Sequence, residues 1–191
     1  MSGSVIHFSS LDARYNLEYK QILRYSGEPK FLCVCEIGCD YEVFDLAKLS
    51  SRVSSFSIGI SIGRKPNDDE RILSAVVLFE EVDITCASVV HLHTIPMVDT
   101  VCGVIALNEV AEEISLDPID ELRAQASSNY RHTRTWAAIS DKNFCAAIID
   151  SGFGTGAKQV YSITIDGREV GFVIDTSGVF ESVHSGSGEE S

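Results

Sequence analysis

Long apolar runs are missing from this chain. No stretch approaches the roughly 18 residues that a membrane-spanning helix requires, which excludes that class. The first residues, Met1-Ser2-Gly3-Ser4-Val5-Ile6-His7, carry no basic segment followed by a continuous apolar core. A secretory leader is therefore not expected, and the expected compartment is the cytoplasm. Basic charge is scarce as well: 15 Lys and Arg face 28 Asp and Glu, for a formal net charge of −13. Such a surface repels phosphate backbones, which argues against nucleic-acid binding. It attracts a basic partner and speeds the encounter; the plainer reading of the same charge is solubility. There is no internal repeat and no alternating βαβ rhythm.

What is present suits one globular domain. The 191 residues are enough to bury a core without disulfides or metal. The cysteines (Cys33, Cys35, Cys39, Cys86, Cys102, Cys145) are expected to be reduced and to behave as small buried hydrophobes.

Residues 9–25 have a helical spacing in Leu11, Tyr15, Tyr19, Ile22 and Leu23, with Ser9 or Ser10 as cap and Gly27 and Pro29 as stop. Phe31 to Ile37 is β-prone, and Tyr41 to Leu46 can pair with it across Gly38-Cys39-Asp40. From Ser54 to Gly63 the alternation places Phe56, Ile58, Ile60 and Ile62 on one face, as in a half-buried antiparallel strand. Ile72 to Phe79 reads as a central strand, followed by Ile84 to Leu92, and by Val101 to Ala106 after the break at Pro96. Asn108 and Asp117 are positioned to cap two short helices within 108–131. Phe144 to Ile149 is a strand, and Val160 to Ile165 with Val170 to Ile174 form a hairpin about Asp166-Gly167. The expected fold is a β-rich α+β domain, antiparallel and sandwich-like, with two or three helices. Residues 1–50 form an N-terminal helix-and-hairpin extension, 51–181 the core domain, and 182–191 a disordered acidic tail.

Chemical motifs are weak. Gly152, Gly154 and Gly156 form a glycine-rich corner, but a phosphate-binding loop opens a helix and here a β-run follows. A sharp corner with positive-φ residues is the better reading. His91 and His93 on one strand would point the same way, yet no second ligand pair accompanies them, and the cysteine spacing misses that of zinc sites. No metal, no cofactor and no catalytic residue is expected, and no nucleophile elbow is present.

Three segments carry a resemblance: Arg71 to Phe79; Val98-Asp99-Thr100-Val101-Cys102-Gly103; and Ser151-Gly152-Phe153-Gly154-Thr155-Gly156 with Tyr161, Asp166-Gly167 and Asp175. Over about residues 55–176 the chain resembles the bacterial family called domain of unknown function 4241. It departs from that pattern at Thr155, where the family has aspartate, and at Lys158, where a tyrosine is usual. The resemblance implies a family-motif corner of Asp99, Gly103, Ser151, Gly152, Gly154, Gly156 and Asp175. It also implies a cytosolic bacterial protein, since some members resemble immunity partners of toxins. The expected function is an immunity protein that inhibits a basic toxin domain. Its partner surface would include Asp68, Asp69, Glu70, Glu80, Glu81 and Asp83, or Glu109, Glu112 and Glu113. The alternative is a small enzyme or ligand-binding module at the corner 150–156.

Overall fold

The computed structural model describes residues 18–37, 43–50, 52–64, 70–84, 87–95, 101–108, 135–140, 145–150 and 156–178. Of these 82% are strand and none is helical. The strands are β1 (Glu18–Ile37), β2 (Val43–Lys48), β3 (Val53–Arg64), β4 (Glu70–Leu78), β5 (Ser88–Ile95), β6 (Val101–Leu107), β7 (Thr135–Ser140), β8 (Cys145–Asp150), β9 (Lys158–Ile165) and β10 (Arg168–Asp175). They form one ten-stranded sheet in the order β5-β9-β10-β4-β3-β1-β6-β8-β7, with β2 beside β1. Every pairing is antiparallel.

The expected α+β class is thus corrected to all-β among the described residues. The stretch 18–25, read as the end of a helix, is the start of β1. Its spacing is misleading for a definite reason. Gln21 pairs with Gly59 and Leu23 with Ile58, so Ile22 is an extra residue in a bulge. One inserted residue turns the period of two into a three-and-four spacing that imitates a helix. The helices expected within 108–131 fall outside the described residues after Asn108. So do the 38–40 turn and the tail.

β1 belongs to both halves of the sheet. A straight strand of 20 residues would run roughly 65 Å, far beyond the width of one layer. It bends instead where Gly27, Glu28 and Pro29 face the single residue Ser54, between the pairs Ser26–Ser55 and Lys30–Val53. Pro29, with no N–H to donate, is tolerated at such an interruption. Tyr25 stabilises the bend, its hydroxyl donating to the Glu28 carbonyl at 2.8 Å. Before the bend β1 pairs with β3; after it, β1 lies between β2 and β6.

The two halves share one core. Ile58, Ile60, Ile72, Val77, Phe172 and Ile174 from the first half meet Leu32, Val34, Cys102, Val104, Cys145 and Ala147 from the second. Each large aliphatic or aromatic side chain buried there contributes about 1.5–3 kcal/mol. The alternation expected for β3 holds, with Phe56, Ile58, Ile60 and Ile62 all in this core. β4 is central, between β3 and β10, and its continuous apolar run has a cause. Val76 and Leu78 pack in a second cluster on the opposite face, with Val89, Tyr161, Ile163 and Val173. The strand expected from Ile84 begins later, at Ser88. Val82 and Ile84 pack on the second cluster from the connection before it.

The β9–β10 hairpin turns as expected, with Asp166 at φ 51° and Gly167 at φ 76°, the left-handed pair of a type I′ turn. At Gly171 the demand is different: a Cβ there would collide with the Val77 carbonyl oxygen of the neighbouring strand. Gly171→Ala is expected to lower stability by about 3 kcal/mol, the upper end for forced repacking, because the clash is with backbone. Gly167→Ala should cost only about 1 kcal/mol, through its φ. Urea unfolding of both variants checks this, and equal losses would contradict the close approach of β10 to β4.

Candidate functional site

Charged and polar side chains gather at the two ends of the first half-sheet. One end lies where β8 finishes, β9 begins and β10 finishes. Lys158, the first residue of β9, is 6% exposed and donates from Nζ to the Thr176 carbonyl at 3.1 Å. Burial pulls its pKa below the usual 10.5, and the neighbouring Asp175, Cys102 and Asp150 counteract that pull. Asp175 is buried and accepts from the Ser177 backbone N–H at 3.1 Å. Thr176 and Ser177 tie this strand end to β4, donating from their hydroxyls to the carbonyls of Ile72 at 2.8 Å and Leu73 at 3.0 Å.

Cys102 on β6 pairs with Glu36 on β1, and both are buried. Burial pushes the Cys102 thiol up to about 12, with Lys158 pulling it down and Glu36 pushing it further. Lys158, Asp175, Asp150, Cys102 and Glu36 are thus electrostatic neighbours drawn from β9, β10, β8, β6 and β1. A thiol held this firmly protonated is a poor nucleophile. The arrangement is suited to fixing strand ends by charge and hydrogen bonds.

This is the end at which the family-motif corner was expected. Of its residues Asp175 lies here, and with Asp150 it is an electrostatic neighbour of Lys158. Asp99, Ser151, Gly152 and Gly154 lie outside the described residues. Gly156 has φ 133°, a backbone conformation that favours glycine. Gly103 sits in mid β6 opposite Cys35, where a Cβ would come within 2.8 Å of the Cys35 Sγ. Lys158 was not singled out from sequence as a functional residue. Its only signal there was its departure from the family's tyrosine.

The opposite end carries acidic groups. Glu80, Glu81 and Asp83 leave β4 exposed, and they lie against the β9–β10 turn: the Phe79 N–H donates to the Val170 carbonyl at 2.9 Å. Asp166 of that turn and Glu169 at the start of β10 are exposed too, and Glu169 accepts from the Ser162 hydroxyl at 2.6 Å. Glu81 pairs with Arg24 at 2.8 Å, and Glu80 pairs with Arg168. Sequence reading found three of these carboxylates and missed Asp166, which read only as a turn residue, and Glu169, which preceded the expected strand. Glu70 opens β4 at the other end of that strand. Asp68, Asp69, Glu109, Glu112 and Glu113 lie outside the described residues. The depression beside Arg24, Phe79 and Glu81 has a volume of about 40 Å³. It admits water, not an organic ligand, which needs several hundred Å³.

His91 and His93 do not point to one side. His91 pairs with Tyr161 and His93 with Val160, so Leu92 is a bulge residue, and neighbouring positions on β9 face opposite ways. His91 Nε2 is instead 2.8 Å from Gln159 Oε1. Among the described residues no trio of His, Cys, Asp or Glu is arranged to hold a metal ion. No helix among them is long and apolar enough to cross a membrane.

Comparison of the chain with protein-family models, with curated proteins and with solved structures finds no match.

The thiols set a pH dependence. Cys33, Cys35, Cys102 and Cys145 are free and buried, as expected for reduced core thiols. Burial raises Cys33 from 9.0 to about 11, Cys102 to about 12, and Cys35 well above the usual value. A raised folded-state value means that the native protein keeps protons which the unfolded chain releases above about pH 9. Stability from these groups is therefore present below pH 9 and lost as pH rises toward 11–12. Lys158, lowered in the folded state, works the other way as pH approaches 10.5, but it is one group against three. Urea unfolding between pH 8 and pH 11 should show falling stability. Thiol labelling at pH 8, mapped by mass spectrometry, should reach these cysteines only after denaturation. Rapid native labelling of Cys102 would contradict its burial.

Proposed function

We propose that the protein is a cytoplasmic bacterial immunity protein, a non-enzymatic binder that covers a basic toxin domain. The observation that carries this reading is the acidic end formed by Glu80, Glu81, Asp83, Asp166 and Glu169. Two separate segments supply these carboxylates, and the fold fixes them relative to one another through the Phe79–Val170 hydrogen bond. Arg24 and Arg168 hold two of them in place. Exposed pairs of that kind contribute at most about 1 kcal/mol, so a partner's cations can replace the arginines at little cost. The net charge of −13 adds long-range attraction for a basic surface. The resemblance to domain of unknown function 4241, some of whose members resemble toxin-immunity proteins, supports the same reading. A protein that acts by occlusion needs no substrate pocket, only a rigid and charged surface.

The test uses the tagged chain as bait at low and moderate salt, followed by assay of the captured polypeptide's toxicity. A single basic polypeptide, released by salt and harmless while bound, is the expected result. The triple variant Glu80→Lys/Glu81→Lys/Asp83→Lys should bind it at least about tenfold more weakly and slow its association, as expected for loss of electrostatic steering. Undiminished binding by that variant would remove the acidic end from the interface. A captured partner whose activity is unchanged in the complex would remove the immunity reading itself.

A further inference from the structure

The residues that follow the bend in β1 form a feature of opposite sign. Phe31, half-buried, carries two cations on its ring: Lys48 Nζ lies 4.0 Å from the centroid and Arg52 Cζ lies 5.0 Å from it. Lys48 comes from the last position of β2 and Arg52 from the residue before β3, and both side chains are exposed. Their separation falls inside the screening length of about 10 Å in dilute salt, so they repel each other. A third cation shares one residue with Arg52: Lys30, which precedes Phe31 and faces the other side of the strand, reaches Asn108 as Arg52 does. It is 1% exposed and donates to Asn108 Oδ1 at 2.8 Å.

In a chain with 28 acidic residues against 15 basic ones, adjacent cations are expected to attract carboxylates. Elsewhere they do: Arg24 and Arg168 each hold a glutamate. Among the described residues neither Lys48 nor Arg52 has a carboxylate partner. Arg52 is nevertheless oriented, because its Nη2 donates to the Asn108 carbonyl at 2.9 Å and its plane rests near the ring. One donor is used, and a guanidinium has five. The aromatic ring attracts both cations and limits their motion, which lowers the ordering cost of binding.

We infer that Lys48 and Arg52, held on Phe31, form a seat for a phosphate group. A dianion relieves the repulsion of two cations at once, whereas a single carboxylate neutralises one of them. Arginine supplies a planar fork for two phosphate oxygens, and lysine supplies a point charge for a third. Asn108, itself held by the buried Lys30, anchors the guanidinium at one side of the seat. This inference is independent of the acidic end and of the immunity reading.

The test is calorimetric titration of the full chain with inorganic phosphate, phenyl phosphate and acetate, at one ionic strength set with chloride. Both phosphates should saturate a single site and acetate should not. Equal affinity for the two phosphates would identify the free ion as sufficient, and tighter phenyl phosphate would identify a phosphate carried on an organic ligand. Lys48→Ala/Arg52→Ala should weaken binding by about tenfold or more. Phe31→Leu, which keeps the charge, should also weaken it by releasing the cations. Absence of saturable phosphate binding overturns the inference. So does unchanged affinity in the double variant, or, if that variant does not fold, in Phe31→Leu.

Discussion

The bend in β1 is the constraint on which the remaining structure depends. One strand supplies hydrogen-bond partners to β3 before the bend and to β2 and β6 after it. Neither half of the sheet can form its inner edge without it. The geometry follows from three residues facing one, at Gly27, Glu28 and Pro29, because an unpaired insertion forces a strand to turn and twist. Tyr25 stacks on Phe56 with ring centroids 5.1 Å apart, so the bend is anchored in the shared core as well as by its hydrogen bond to Glu28. Lys20, early in β1, places its ammonium 4.5 Å from the Trp136 ring centroid on β7, which links the far strand of the second half back to the first. A core common to both halves makes cooperative unfolding the natural outcome.

Polar groups complete the picture at the strand ends. Lys158 occupies the end of the core next to buried carboxylates and a protonated thiol, where removing a single partner would leave a charge without compensation. At the opposite end the carboxylates are exposed, and two of them, Glu80 and Glu81, pair with exposed arginines, where exchange costs little. The contrast assigns different work to the two ends. The buried network holds strands in register, and the exposed pairs contribute little to the fold.

Much of the sheet was legible in the residues, for physical reasons that differ by element. Asp166-Gly167 specifies its own turn because both residues accept positive φ at low cost. β3 was legible through its alternation, and β4 through an apolar run that two-sided burial requires. β1 was not, since the bulge at Ile22 produces a helical spacing and Gly27 with Pro29 imitates a helix stop. Only the ladder partners on β3 decide between the two. The candidate sites were less legible still. Burial of Lys158 depends on strands that are distant in sequence, and one lysine after a glycine corner gives no local sign of it. Asp166 and Glu169 join Glu80 through packing of the hairpin against the end of β4. The pairing of Lys48 with Arg52 on Phe31 likewise depends on β2 lying beside β1.

The central claim is that a single bent strand joins both halves of one sheet about a common core. Cross-strand nuclear Overhauser contacts in the labelled protein test it most directly. The account predicts contacts from Leu23 to Ile58 and from Tyr25 to Phe56, and equally from Val34 to Val104 and Ala47, all arising from β1. Sequential amide–amide contacts of a helix across residues 18–25, with no contact to β3, would contradict it.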